Sequence, residues 1–482
     1  MNNHNHMDDK DIQIKILTDS YHLVIGSKWW KMTKGLRYIQ EVIQKHILHK
    51  KTLSETLAEI ADLDRYRPNP LVLSSSYEEG KSYHEKISVV IPTFNAGEEF
   101  KSLLMLLQAQ KGIGDIEVII VDSGSKDDTV ALSEQFGAKV ICITQAEFSH
   151  SYARNLGAKH ATGDYVLFMT QDAEPTDDTW VYRLLSVLKE HNVAATSPME
   201  IDNGRGGLKC LADAWSHIKY IGVRESDKLT SYAEGMIGDE LRKSAQLSDV
   251  SCMIKKDIFD KYGYEGDYAE DLSLGIKLIQ DGYSLAQLHS VQVKHAHKRS
   301  PGYLMKRAYV DVRALARILG EDTHGIPGRN ELLTGIYNGY VDTCTYIAGL
   351  QERLRQACDI KECCMALEES MGIVKMRSGE LDFGHIYSDE FSDEVINKLA
   401  ACRQGDEIIE KTLFEQVKFY VRNVLIPYLQ ECKEHVEEAD KQEILEAVFK
   451  AYASEVGLQM GVYSMAYEDD LTALASEWFK GV

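Results

Sequence analysis

The chain is short of several things at once. No apolar run approaches the roughly 18–20 residues needed to cross a bilayer. The head, MNNHNHMDDK, is polar and has no apolar core of the kind a secretory signal carries, which points to the cytoplasm. Proline is scarce, eight in 482 residues, and the 34 glycines follow no fixed period, so collagen-like and proline-rich disordered chains are excluded. The nine cysteines are odd in number and lack metal-type spacing. Even the Cys358, Cys363 and Cys364 cluster matches no zinc pattern, and reduced thiols are expected. Basic residues are outnumbered, 54 Lys and Arg against 75 Asp and Glu, for a net charge of −21. General nucleic-acid binding is excluded, because a polyanion needs a basic face.

That charge is unevenly spread. Residues 331–482 hold 14 basic and 29 acidic side chains, and so carry −15 of the −21. Residues 28–51 run the other way, with seven Lys and Arg against Glu41 alone. Asymmetry of this kind marks separate modules. Apolar residues at helical spacing (Leu36, Ile39, Val42, Ile43, Ile47) predict helices within 11–65. With Trp29 and Trp30 beside lysines, residues 28–51 suit either peripheral contact with an anionic membrane or packing on the rest of the protein. The stretch from Arg65 to Lys86, with two prolines and four serines, reads as a connection.

The texture then changes. ISVVIP at 87–92 is a continuous apolar run, as expected of a strand buried on both faces of a parallel sheet, and IEVIIVD at 116–122 reads as a second buried strand. Between and after them come FKSLLMLLQAQ, SKDDTVALSEQFG and SYARNLGAKHA as helices, with AKVICIT and DYVLFMT as further strands. The alternation predicts a doubly wound α/β domain, whose ligands sit beyond the carboxyl ends of the strands. Thr93, Asp122 and Asp172 follow strand ends and are expected to face one crevice. After residue 200 the pattern loosens around DNGRGG. It recovers in AEDLSLGIKLIQDGY, a helix, and LAQLHSVQVKHAH, read as strands, and from about residue 303 it is mostly helical.

Six motifs occur in a fixed order: IPTFNAGE, VDSGSKDDT, FSHSYARNLG, TQDA, AEDLSL and HAH. In that order they resemble family 2 glycosyltransferases of the GT-A fold, and most closely the rhamnosyltransferase-type members, over about residues 86–320. The resemblance implies a GT-A domain at 86–320 (nucleotide-sugar half 86–200, acceptor half 201–320); charge and periodicity set beside it a helical segment and linker at 1–85 and an acidic helical domain at 321–482. It implies an inverting, metal-dependent transfer from a nucleotide sugar, dTDP-L-rhamnose or a UDP-sugar, to a glycan or lipid-linked glycan. The absence of a QxxRW motif after residue 271 favours single-sugar over processive transfer.

The same resemblance assigns residues. Pro92, Thr93, Asn95, Asp122, Ser123, Arg154, Asn155 and Asp172 fall at donor-binding positions. A carboxylate at Asp122 can accept a pyrimidine N3–H, and equally can cap the following helix. Arg154 suits a diphosphate or an internal acid. Asp172 stands where the family places its metal-ligating DxD acid for Mg²⁺ or Mn²⁺, although residue 171 is Gln and only Glu174 offers a second acid nearby. His295 and His297, two apart in a strand, share a face and can complete the cation site, with His295 favoured. Asp271 matches the general base, and the adjacent Glu270 an acceptor contact or supporting acid. The competing reading is a catalytically degenerate GT-A scaffold, with the missing second Asp of TQDA as its support. The helical C-terminal domain is expected to serve oligomerisation or a protein partner.

Overall fold

A computed structural model describes residues 70–320, 326–372, 374, 395–402 and 412–478. The expectations for the N-terminal helices and for membrane contact through residues 28–51 lie outside the described residues.

Four parallel strands start the sheet: β1 (Ile87–Thr93), β2 (Ile116–Asp122), β3 (Lys139–Cys142) and β4 (Tyr165–Met169). The connecting helices are α1 (Glu99–Gln108), α2 (Thr129–Gln135) and α3 (His150–Lys159). Next come β5 (Glu174–Pro175), α4 (Trp180–Glu190), β6 (Ala195–Ile201), α5 (Leu208–Ile221), β7 (Lys228–Thr230) and α6 (Gly238–Ala245). The domain finishes with β8 (Ser251–Lys255), α7 (Lys256–Tyr262), α8 (Glu270–Gln280) and β9 (Leu285–Lys294). The described strands form one nine-stranded sheet ordered β3-β2-β1-β4-β8-β6-β9-β5, with β7 also paired to β9. β8 runs antiparallel to β4 and β6, whereas β6 and β9 are parallel. This is the mostly parallel α/β arrangement expected of a GT-A domain. LAQLHSVQVK forms one strand, not the several anticipated.

Strands β1 and β4 are buried along nearly their whole length because both their faces are covered. Successive side chains point to opposite faces, so Val89, Ile91, Leu167 and Met169 enter a core with α1 and α4. Val90, Val166 and Phe168 enter another with α7 and α8.

A third core belongs to helices. Helix α9 (Pro301–Leu319) leads into α10 (Arg329–Leu354), α11 (Ile360–Ser370), α12 (Asn397–Ala401) and α13 (Phe414–Tyr420). A π-helical turn (Val421–Leu425) links α13 to α14 (Ile426–Cys432), followed by α15 (Glu438–Ala466) and α16 (Asp470–Trp478). Helix α15 buries apolar residues all round, the pattern of a helix surrounded by others. Its core also takes Leu208 and Ala212 from α5 and Met305 and Tyr309 from α9. No described helix is long and apolar enough to cross a membrane. All nine cysteines are free.

Candidate active site

The β1 and β2 ends are in register, Thr93 opposite Asp122. Thr93 Oγ1 donates to Asp122 Oδ2 at 3.0 Å, and Ser123 N donates to the Thr93 carbonyl at 2.9 Å. The other Asp122 oxygen accepts from the amides of Gly124 (3.0 Å) and Ser125 (2.9 Å), and Ser125 Oγ adds 2.5 Å to Oδ2. Four donors fill the acceptor capacity of this buried carboxylate. Asp122 therefore shapes the Ser-Gly-Ser turn, and its bonds go to that turn and Thr93 rather than to the start of the following helix. Asn95, in the left-handed region at φ 44°, ties the two strand-end loops together: its amide donates to Ser125 Oγ and its Oδ1 accepts from Lys126 N, both at 2.8 Å.

Beside this turn lies a cavity of about 330 Å³, lined by Pro92, Thr93, Phe94, Ser123, Phe148 and His150, with Arg154 and Gln171 also at its wall. That volume sits at the small end of ligand pockets. Gln171, the residue departing from a true DxD, accepts from Phe94 N at 2.8 Å and donates to the Phe94 carbonyl at 3.3 Å. An aspartate carries no N–H and could make only one of these bonds.

Arg154 and Asn155 both make internal bonds, and for Arg154 the partner is an internal acid, one of the two alternatives expected for it. Arg154 is 1% exposed and pairs with Glu270 through Nη1, while its Nη2 donates to the Asp249 carbonyl at 2.8 Å. Asn155 brackets the Tyr264 backbone, accepting from its N–H at 2.9 Å and donating to its carbonyl at 2.8 Å. The sidedness of α3 explains this: Arg154 lies on the face that meets the sheet and α8. Glu270 pairs with Arg154 next to Asp271, the supporting-acid alternative of the two expected for it.

Asp271 is buried in the first turn of α8, after Ala269 in the left-handed region (φ 53°). Its Oδ1 accepts from Leu272 N at 2.8 Å. Burial, with the charges of Asp249 and Glu270, holds its carboxyl well above the usual carboxylate range. Asp249 goes the other way: burial opposes ionisation, but Arg154, Arg307 and His150 prevail and lower it. Two neighbouring carboxyls with opposed shifts are the pattern of acid–base sites. Sequence reasoning passed over Asp249, whose only signal was its place just ahead of β8.

At the far side of the crevice Asp172, His295 and His297 converge, each offering one ligand atom within 4.8 Å of the others. His297 Nε2 lies 3.3 Å from Asp172 Oδ2, and His295 Nε2 lies 3.6 Å from Oδ1. Glu174 falls outside this cluster; its backbone pairs with Lys294 in β5–β9. The second acid at the site is Glu200 instead, on β6, with Oε2 3.2 Å from His295 Nδ1 and Oε1 accepting from Ser248 Oγ at 2.9 Å. Burial works to lower His295, but the Glu200 hydrogen bond and charge raise it above its ordinary value. His297 is lowered, by burial and then by His295. One carboxylate, two imidazoles and an outer carboxylate that fixes the His295 tautomer form a donor set fitting a borderline divalent cation.

Residues 88–229 match the family model for glycosyl transferase family 2. That span includes Asp122 and Asp172 and ends before Asp271 and His295. The O-antigen chain rhamnosyltransferase RfbN of Salmonella typhimurium is 27% identical over 45% of this chain and 68% of its own length. The O-antigen chain rhamnosyltransferase WbaN of Salmonella anatum is 26% identical over 46% of this chain and 70% of its own. Among solved structures, the mannosyltransferase PcManGT of Pyrobaculum calidifontis shares 18% identity over 52% of this chain and 69% of that one, with a TM-score of 0.39.

Proposed function

From the premise that this chain is a family 2 glycosyltransferase, rhamnosyltransferase-like in its relatives, we infer that it moves one sugar, with inversion, from a nucleotide-sugar donor to a glycan or lipid-linked glycan. The observation carrying this reading is the convergence of Asp172, His295 and His297 at the mouth of the strand-end crevice. A divalent cation held there, Mg²⁺ or Mn²⁺, supplies charge neutralisation for a diphosphate. The names of the two Salmonella relatives favour dTDP-L-rhamnose as donor over a UDP-sugar.

The chain's own residues do the rest. The cavity at Pro92, Thr93 and Ser123 takes the nucleoside, with the Phe94 and Phe148 rings supplying apolar surface for the base. If the base needs an acceptor, the Asp122 turn opens one by releasing Ser125 Oγ. Asp271 takes the acceptor proton as the hydroxyl oxygen bonds to the anomeric carbon. The bond from that carbon to the leaving diphosphate breaks on the opposite face, and its electron pair departs with the nucleotide. Arg154 and Glu270 hold α8, and with it Asp271, against the crevice floor.

The degenerate-scaffold reading loses its support once Gln171 has a structural task of its own. The test is a nucleotide-sugar screen on purified protein with Mg²⁺ and Mn²⁺ varied. Turnover of dTDP-L-rhamnose, stopped by chelation, is expected. Absence of both turnover and binding across the screen would sink the enzyme reading.

A further inference from the structure

The acidic C-terminal helices place one carboxylate at the rim of the cation cluster. Glu443, in the second turn of α15, pairs with Lys298, the residue that follows His297. Its other oxygen accepts from the backbone N–H of Leu208 at 3.2 Å. The two partners, Lys298 and the first residue of α5, belong to two segments already tied together: Gly207 N donates to the His297 carbonyl, and Asn203 Nδ2 to the Ala296 carbonyl, each at 3.2 Å. Gly207 lies so near Lys298 that a Cβ there would come within 3.2 Å of the lysine Cγ. Glu446, one turn further along α15, stands 3.7 Å from Lys298 and is held at 3.0 Å by the buried Lys450. The helix presenting these acids cannot drift, because Gly457 and Gly461 let α15 seat directly on the α9 backbone at Met305 and Tyr309.

We propose that Glu443 is a positioning residue for the cation cluster: it clamps the 203–208 turn to the 295–298 segment and fixes where His295 and His297 stand. The helical domain then forms part of the active-site architecture. This inference rests on reading Asp172, His295 and His297 as a cation site. Isolated surface ion pairs contribute little. Glu443 differs because a single carboxylate serves a lysine and a backbone amide on two segments at once, and charge-assisted bonds to ionised groups are the stronger kind.

The test uses the full chain and two substitutions. Glu443→Gln keeps an acceptor for Leu208 N and removes the charge facing Lys298, whereas Glu443→Ala removes both. Amide hydrogen exchange at residues 203–208 and 296–300 is expected to quicken in the order wild type, Gln, Ala, with the melting temperature nearly unchanged. The Mn²⁺ dissociation constant, followed by electron paramagnetic resonance, is expected to rise about 3- to 30-fold in the same order, the span typical of coupling through a contiguous network. Exchange in both variants indistinguishable from wild type overturns the clamp. Faster exchange with unaltered Mn²⁺ affinity overturns its positioning role. Wild-type protein taking up no Mn²⁺ defeats the cation reading itself, and the exchange measurement then decides the clamp by itself.

Discussion

Arg154 and Glu270 form an ion pair buried from solvent on both sides, at 1% and 5% side-chain exposure, that joins α3 to the first turn of α8. The RN and AED motifs, each of which the sequence left open to a substrate or an internal partner, thus bind each other. Removing one member of such a pair strands a buried charge, which costs about 3–5 kcal/mol, whereas replacing both by apolar groups of similar volume is often neutral. Arg154→Met or Glu270→Gln is therefore expected to lower stability by about that amount in urea denaturation, and the double variant Arg154→Met with Glu270→Leu to recover most of it. A donor-binding Arg154 would give the opposite pattern: intact stability with a raised KM for the nucleotide sugar.

The neighbouring Asp271 connects pH to both stability and rate. Its carboxyl titrates well above the usual range because of burial and the charges of Asp249 and Glu270. An unfolded aspartate ionises near pH 3.9. Above that pH the folded protein holds a proton that the unfolded chain has released. Its contribution to stability is thus full below about pH 4 and is lost as pH rises through the folded value. A general base has the reverse need, since it works only when ionised, so transfer should rise with pH above the ordinary carboxylate range. Asp271→Asn is expected to abolish transfer, retain donor binding and gain about 1–2 kcal/mol at neutral pH, the size of common stabilising changes. Paired activity and melting profiles across pH check this, and a variant less stable than wild type at pH 8 would count against it.

Cation uptake should separate the acids around the histidines. His295→Ala and Asp172→Asn each remove a ligand atom of the cluster and are expected to eliminate measurable Mn²⁺ binding. Glu200→Gln removes the carboxylate that orients His295 and should weaken binding about 10- to 100-fold, as losses of such outer partners do. Glu174→Gln should leave affinity unchanged. Titration with Mn²⁺ distinguishes the two glutamates directly; a strong effect at Glu174 with none at Glu200 would reassign the second acid.

What the sequence revealed and what it concealed follow from the range of the interactions. Strands β1 and β4 were legible because burial on both faces writes a nearly unbroken apolar run, and β2 because Val118–Val121 does the same beyond Glu117. The Asp172, His295 and His297 set was legible only through motif order, since 123 residues separate Asp172 from His295 and no periodicity spans them. Glu200 was missed although it lies one residue before a strand end, because the pattern loosens there; only the parallel pairing of β6 with β9 brings it beside His295. Gln171 read as a defect in a metal motif, and its two bonds to Phe94 exist only once β1 and β4 lie side by side. For Arg154 the sequence left a diphosphate and an internal acid both open, and helix sidedness turns it toward Glu270.

The seat between α9 and α15 gives the last prediction, because it tests whether the helical domain supports the chemistry. At Gly457 an added Cβ would collide with the backbone carbonyl of Met305, which cannot step aside as a side-chain tip can. Overpacking of this kind costs about 1–3 kcal/mol, so Gly457→Ala should lower stability by that amount. Gly302, near the start of the same helix α9, has open space where a methyl group would sit, with no neighbour within 4 Å, and no positive φ. Gly302→Ala should therefore stabilise by up to about 1 kcal/mol, the helix-propensity difference between the two residues. Because α9 begins just beyond His297 and Lys298 reaches Glu443 on α15, prising the two helices apart at Gly457 should also reduce transfer, while Gly302→Ala should spare it. Denaturation curves and transfer rates for the pair check both halves, and a Gly457→Ala protein with wild-type stability and rate would show that the seat is slack.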